Sequence, residues 1–165
     1  GRKPIATKVV KASRREEVIQ GLQSWLSKGL QAYWVCPLIE ESEALQLQTA
    51  VESFEELTKA LPDFRVGLVH GRLKAEEKAA VMAAFKANEI QLLVATTVIE
   101  VGVNVPNASV MLIESSERFG LSQLHQLRGR VGRGAEQSYC ILLGSHTQSN
   151  ESKRKKCLFE FRNYC

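Results

Sequence analysis

Residues 126–133 read Gln-Leu-Arg-Gly-Arg-Val-Gly-Arg, three arginines interleaved with glycines. On a helix advancing roughly 100° per residue, Leu124, Leu127 and Val131 fall on one face and can pack on a sheet. Gln126, Arg130 and Arg133 fall together on the opposite face. Gly129 lies beside them and leaves room for a close approach. Gly132 and Gly134 can end the helix and hold Arg133 at a sharp turn. Arginine stays charged and grips phosphate oxygens in pairs. Two guanidiniums converging beside a glutamine therefore suit a triphosphate. Charge spread over a transferring phosphoryl group is what an arginine finger stabilises, by roughly a thousandfold or more in rate. The competing reading is a solvated basic helix end, favourable against the helix dipole. The interleaved glycines argue against it.

A second stretch, residues 92–106, reads Leu-Leu-Val-Ala-Thr-Thr-Val-Ile-Glu-Val-Gly-Val-Asn-Val-Pro. An apolar run ends in Thr96 and Thr97, and a turn follows. Hydroxyls and free amides at such a turn can bind a phosphate. Glu100 and Asn104 are four apart, so either can reach a ribose or orient an arginine. Ordinary capping by Thr97 and turn formation by Asn104 remain open for this segment alone. The third stretch is Val69-His70-Gly71-Arg72, a strand running into glycine and a base ahead of a helix. Arg72 and the amides around Gly71 can contact a nucleic-acid backbone, or Arg72 can be a lone exposed base at a turn.

These residues need a scaffold, and the periodicity supplies one. Strands are predicted over 5–10, 31–36, 65–70, 91–95, 110–114 and 138–143. Helices are predicted over 14–28, 43–60, 74–87 and from 122 to about 131. Ser13 is expected to cap the first helix, with Glu16 completing a capping box and Gly29 as its stop. Short β-rich runs alternating with helices imply an α/β fold, a parallel sheet with helices on both faces. In such sheets ligands bind where loops leave the carboxyl ends of strands. Those ends are Cys36-Pro37, His70-Gly71-Arg72, Thr96-Thr97 and Glu114-Ser115.

The net charge of +4 invites a nucleic-acid reading, but five bases and two acids lie beyond residue 150. The first 150 residues therefore carry only about +1. Local placement, not overall basicity, has to carry that reading. Four cysteines, Cys36, Cys140, Cys157 and Cys165, form no Cys-x-x-Cys pair. The three histidines show no ligand spacing with them, which argues against zinc. Cys36 and Cys140 lie in or beside apolar strands and read as buried free thiols, suited to a reducing cytoplasm. The N-terminus lacks the charged-then-apolar order of a secretory signal. No apolar run is long enough to span a bilayer.

Together the three stretches resemble the helicase core of superfamily 2, and its RecG family closely. Residues 126–134 are similar to motif VI and residues 96–108 to motif V. Residues 31–43, Gln-Ala-Tyr-Trp-Val-Cys-Pro-Leu-Ile-Glu-Glu-Ser-Glu, resemble the motif IV region of that family, and Arg-Phe-Gly-Leu-Ser-Gln-Leu-His-Gln at 118–126 also fits it. The resemblance runs from about residue 1 to 143. It implies the RecA-like fold of a second motor lobe over residues 1–145, followed by a basic tail or linker over 146–165. It assigns Arg130 and Arg133 to the γ-phosphate of ATP and Gln126 to coupling. Gly102, Asn104 and Glu100 fall on the nucleotide side. Thr96, Thr97, Gly71 and Arg72 fall on the DNA backbone. Asn104 stands where the family usually has Asp, which keeps a hydrogen bond to ribose but not a salt bridge to an arginine.

The resemblance further implies a bacterial, cytoplasmic ATP-dependent helicase acting on branched DNA in recombination and repair. ATP and magnesium would be held mainly by a first lobe of the same protein, with a DNA-wedge domain as a further partner. This sequence contains no Gly-x-x-x-x-Gly-Lys-Ser/Thr loop and no Asp-Glu pair after a strand. It is therefore expected to be inactive by itself. The motor of transcription–repair coupling shares the Arg-Phe-Gly-Leu stretch and motif VI, but the motif IV region favours RecG. A non-catalytic RecA-like binding module is disfavoured by the presence of both motif VI arginines. A nucleotide-binding oxidoreductase is disfavoured by the lack of Gly-x-Gly-x-x-Gly after a strand.

Overall fold

The computed structural model describes residues 5–96, 105–131 and 137–144. Six described strands form one sheet, in the order β1-β6-β5-β2-β4-β3. They are β1 (Ala6–Lys11), β2 (Gln31–Val35), β3 (Val66–Val69), β4 (Leu92–Ala95), β5 (Ala108–Glu114) and β6 (Tyr139–Gly144). Every pairing is parallel. The helices are α1 (Arg15–Ser27), α2 (Glu43–Ala60), α3 (Ala75–Lys86) and α4 (Leu121–Arg128).

Alternation along the strands divides the core into two layers. Ala32, Trp34, Leu92, Val94, Val110 and Leu112 pack with Ile19, Leu22 and Leu26 of α1 and with Ala50 and Leu57 of α2. Tyr33, Val35, Leu93, Met111, Ile113 and Leu142 pack with Phe85 of α3 and Leu124 of α4. The sheet is thus covered on both faces, which is why its central strands are apolar throughout. β2, fully buried along its length, is the clearest case. Its one polar residue, Gln31, is satisfied: Nε2 donates to the carbonyls of Phe85 and Ile90 at 2.6 and 2.8 Å. That pins the end of α3 to the sheet.

Several elements match their sequence signals. α2 begins after Ser42, whose Oγ accepts the amide of Leu45 at 3.1 Å, and it spans the predicted residues. Gly29 ends α1 at φ +86°. Cys36 and Cys140 are buried free thiols. Two expectations fail. Ser13 does not cap α1, because a 3-10 turn over Ala12–Arg14 precedes the helix and makes Arg14 its boundary residue. The acid three residues on is then Glu17, and it pairs with the Arg14 side chain at 2.8 Å instead of completing a capping box. α4 also stops at Arg128, short of the predicted end near 131. Beyond it, Arg130 and Val131 donate to the carbonyls of Leu127 and Arg128 at 3.0 and 3.3 Å, each three residues back. The helix tightens as it leaves through Gly129.

Candidate nucleic-acid and nucleotide site

Because the strands are parallel, their carboxyl ends share one edge of the sheet. β3 and β4 are neighbours in register, Val69 opposite Ala95. The loops that follow them are therefore side by side, and the amide of Thr96 donates to Val69 O at 3.3 Å. The first turn of α2 closes over the same corner. The result is a cleft of about 290 Å³ lined by Glu43, Gln46, Leu47, His70, Gly71, Arg72 and Thr96. Gly71, Arg72 and Thr96, three candidate backbone contacts read from separate segments, meet there. Thr97, the fourth, lies outside the described residues.

The cleft is rich in donors. Thr96 is 5% exposed, and its buried Oγ1 has no hydrogen-bond partner among the described residues. Gln46 is 8% exposed; its Oε1 accepts the Ile39 amide at 3.4 Å, but its Nε2 is buried with no partner among the described residues. An unmade buried hydrogen bond costs about 1–3 kcal/mol, so both atoms favour a ligand that accepts. His70 Nδ1 accepts the Arg72 amide at 3.2 Å. The neutral ring then carries its proton on Nε2, another donor. Arg72 is exposed and its Nε lies 3.4 Å from Glu43 Oε1. Glu43, Gln46 and His70 were not singled out by sequence reasoning. The first two lie in the first turn of α2, which follows the carboxyl end of β2.

The motif VI residues do not line this cleft, and the end of α4 lies instead by the entry to β1, toward the amino edge of the sheet. Gln126 is exposed and Arg130 is half-buried, while Leu124 and Val131 are buried and Leu127 packs against the same core. Within the helix Gln126 is thus on the exposed side and Leu124 on the core side, while Arg130 lies beyond the helix end. Arg133, Gly132 and Gly134 lie outside the described residues, as do Glu100, Gly102 and Asn104. Arg128 was missed: it is 4% exposed, and its Nη2 donates to the carbonyl of Ile5 at 3.0 Å. Its spacing of four from Leu124 placed it on the apolar face, and that was the signal. Gly129 meets only ordinary contacts at 3.5 Å, so nothing there demands a glycine.

A second charged cluster lies near the ends of β2 and β5. Arg15 pairs with Glu56 and, at 2.9 Å, with Glu114, and it lies 5.1 Å over the Trp34 ring. Burial opposes its charge, but the two carboxylates hold the guanidinium protonated more firmly than usual. The Trp34 indole also donates to Glu114 at 3.1 Å. Each group in the cluster is matched by another, so it reads as a tie between α1, α2 and the sheet. Among the described residues no three His, Cys, Asp or Glu side chains converge as a metal site.

The comparisons with known proteins agree with this fold. The family described as "Helicase conserved C-terminal domain" matches residues 13–135. The chain is 57% identical over 155 residues to the ATP-dependent DNA helicase RecG of Acidithiobacillus ferridurans, covering 94% of this chain and 23% of that protein. It is 60% identical over 144 residues to RecG of Escherichia coli K12, covering 87% of this chain and 21% of that protein. The chain thus spans between a fifth and a quarter of the length of these relatives. A structure of RecG bound to a three-way DNA junction superposes with a TM-score of 0.80 at 44% identity, over 98% of this chain and 20% of that one. The yeast DEAD-box splicing factor Prp28 shares the fold, with a TM-score of 0.73 at 20% identity over 98% of this chain and 34% of that one. The six-stranded parallel sheet is that of the RecA-like second lobe, and the chain belongs to the helicase conserved C-terminal domain family.

Proposed function

We propose that this chain is the second motor lobe of a RecG-type, ATP-dependent DNA helicase that remodels branched DNA in recombination and repair. The observation that carries the proposal is the convergence of Gly71, Arg72 and Thr96 in one donor-rich cleft, in a chain whose relatives are named RecG. Arg72, Thr96 and Thr97 would grip successive backbone phosphates, with the amides near Gly71 at the start of α3. Such contacts are independent of sequence and weaken with salt.

ATP would lie between this lobe and the first lobe of the same motor. Arg130 and Arg133 reach its γ-phosphate, and Gln126 couples that contact to the lobe's position. Glu100, Gly102 and Asn104 face the nucleotide. Pairing of the arginines with ATP closes the lobes, hydrolysis releases them, and each cycle shifts the grip along DNA. Magnesium would enter with the nucleotide on the first lobe. The described side chains of this lobe assemble no site for it, and no step here runs through the metal. Residues 146–165 would be a basic tail or linker, and the wedge domain and first lobe would be partners within the full-length protein. No helix among the described residues is long and apolar enough to cross a membrane. We place the motor in the bacterial cytoplasm, where its DNA lies.

The test is Arg133→Ala in the full-length protein. DNA-stimulated ATP turnover should fall by roughly a thousandfold, the magnitude of an arginine finger, while affinity for a three-way junction is retained. Unchanged turnover would remove the assignment.

A further inference from the structure

Among the described residues the cleft beside Arg72 holds one carboxylate, and that carboxylate is already on the arginine. Glu43 begins α2, and its Oε1 lies 3.4 Å from Arg72 Nε. Deeper in, Thr96 Oγ1 and Gln46 Nε2 are buried and have no partner among the described residues, both on residues more than nine-tenths buried. The site is thus filled at its rim and unsatisfied at its floor. A phosphodiester group completes it: one oxygen can take the Thr96 hydroxyl, and another can take the Arg72 guanidinium. Arg72 cannot present the same N–H groups to Glu43 and to a phosphate at once. The two anions also repel, so a phosphate seated on Thr96 disfavours the Glu43–Arg72 pair. Both partners of that pair are exposed, with side chains 53% and 72% accessible, so exchange between them meets no packing barrier.

We infer that Glu43 is the release residue of this phosphate site: its carboxylate takes Arg72 back whenever the backbone leaves, and so lowers the residence time of DNA on the lobe. The inference rests on the reading that Arg72 contacts DNA. A translocating motor needs such a device, because a grip that only tightens would stall each cycle. An exposed pair of this kind contributes at most about 1 kcal/mol, which is several-fold in an equilibrium constant and so suits a contact made and broken repeatedly.

The experiment uses the full-length protein and a fluorescein-labelled three-way DNA junction, read by anisotropy and by stopped-flow dissociation. The variants are Glu43→Gln, Arg72→Gln, the double variant, and Glu55→Gln as a charge-matched control on the exposed side of α2. Glu43→Gln should bind about threefold tighter with slower dissociation, in line with an exposed pair. Glu55→Gln should show a much smaller change, since it removes the same charge away from the cleft. In the Arg72→Gln background the Glu43→Gln effect should vanish. The inference is overturned if Glu43→Gln binds no tighter than Glu55→Gln, or if its tightening persists without Arg72. If Arg72→Gln itself leaves affinity unchanged, the DNA reading of Arg72 fails and takes the inference with it, a result separate from the first two. Both side chains are exposed, so thermal melts of the variants should match the parent and exclude misfolding.

Discussion

Arg128 and Arg130 stand two residues apart, and the chain uses them in opposite ways. Arg128 shares a helix face with Leu124 and is drawn into the core, where its guanidinium holds the carbonyl of Ile5 at the entry to β1. Arg130 follows the helix end and keeps a half-exposed position. Replacing Arg128 by Leu keeps the bulk but leaves that carbonyl without its donor. The expected cost is about 1–3 kcal/mol, or a melting temperature lower by about 2 °C or more. Calorimetry that shows no shift would deny Arg128 this structural role. Cys140 is a second residue with a legible fate. Burial pushes its thiol up from 9.0 to about 12, more than the field of Arg128 lowers it. Cys36 is pushed up as well, mainly by burial. Neither should react with a maleimide in the folded protein at neutral pH, in a background with Cys157 and Cys165 replaced by Ser. The sign for stability follows from the raised folded value. The contribution of Cys140 is complete below the unfolded pKa of 9.0 and is lost as pH rises toward about 12. Between pH 8 and 10.5 the melting temperature of the parent should therefore fall more steeply than that of Cys140→Ala. Parallel slopes would show that the thiol does not titrate between the two states.

Helix ends show what the sequence can and cannot disclose at the scale of an element. Gly29 adopts φ +86° with open space where a Cβ would go, so its role is conformational and not steric. Gly29→Ala should cost about 1 kcal/mol, seen as a small loss of thermal or urea stability with activity retained. A neutral result would mean that α1 can end another way. That stop was readable, as was all of α2, because apolar residues recur at helical spacing across the whole predicted range. The start of α1 was not readable, because Ser13 and Arg14 are both plausible boundaries until the 3-10 turn selects one. The end of α4 was not readable either, because 3.6-residue spacing continues through Gly129 to Val131 even after the hydrogen bonds shorten to three residues. In the candidate site, Gly71, Arg72 and Thr96 could be picked out because each follows an apolar strand. Glu43 and Gln46 could not be joined to them from sequence. Their proximity depends on β4 inserting between β2 and β3, an order that differs from the order in the chain. Local pattern gives strand ends; it does not say which strand ends are neighbours.

For the molecule as a whole, the distribution of charge matters more than its sum. About three of the four net positive charges lie beyond residue 150, so the folded lobe is nearly neutral. The DNA affinity proposed for it must therefore come from a few placed contacts, not from a basic surface. A lobe with one or two phosphate contacts loses affinity with salt along a log–log slope of only about −1 to −2. Catalysis divides in the same way. By the proposal the lobe offers Arg130 and Arg133 to a γ-phosphate, but this sequence carries no phosphate-cradling loop and its described residues gather no metal ligands. Arginines that stabilise a transition state add nothing without groups that hold the nucleotide and orient the attacking water. The 165-residue chain alone should therefore show no DNA-stimulated ATP hydrolysis and no unwinding, even where it retains weak DNA binding. The full-length protein should show both. Hydrolysis by the purified chain that rises with added DNA and disappears in Arg130→Ala would place a complete ATPase site within this lobe and overturn its description as one half of a motor.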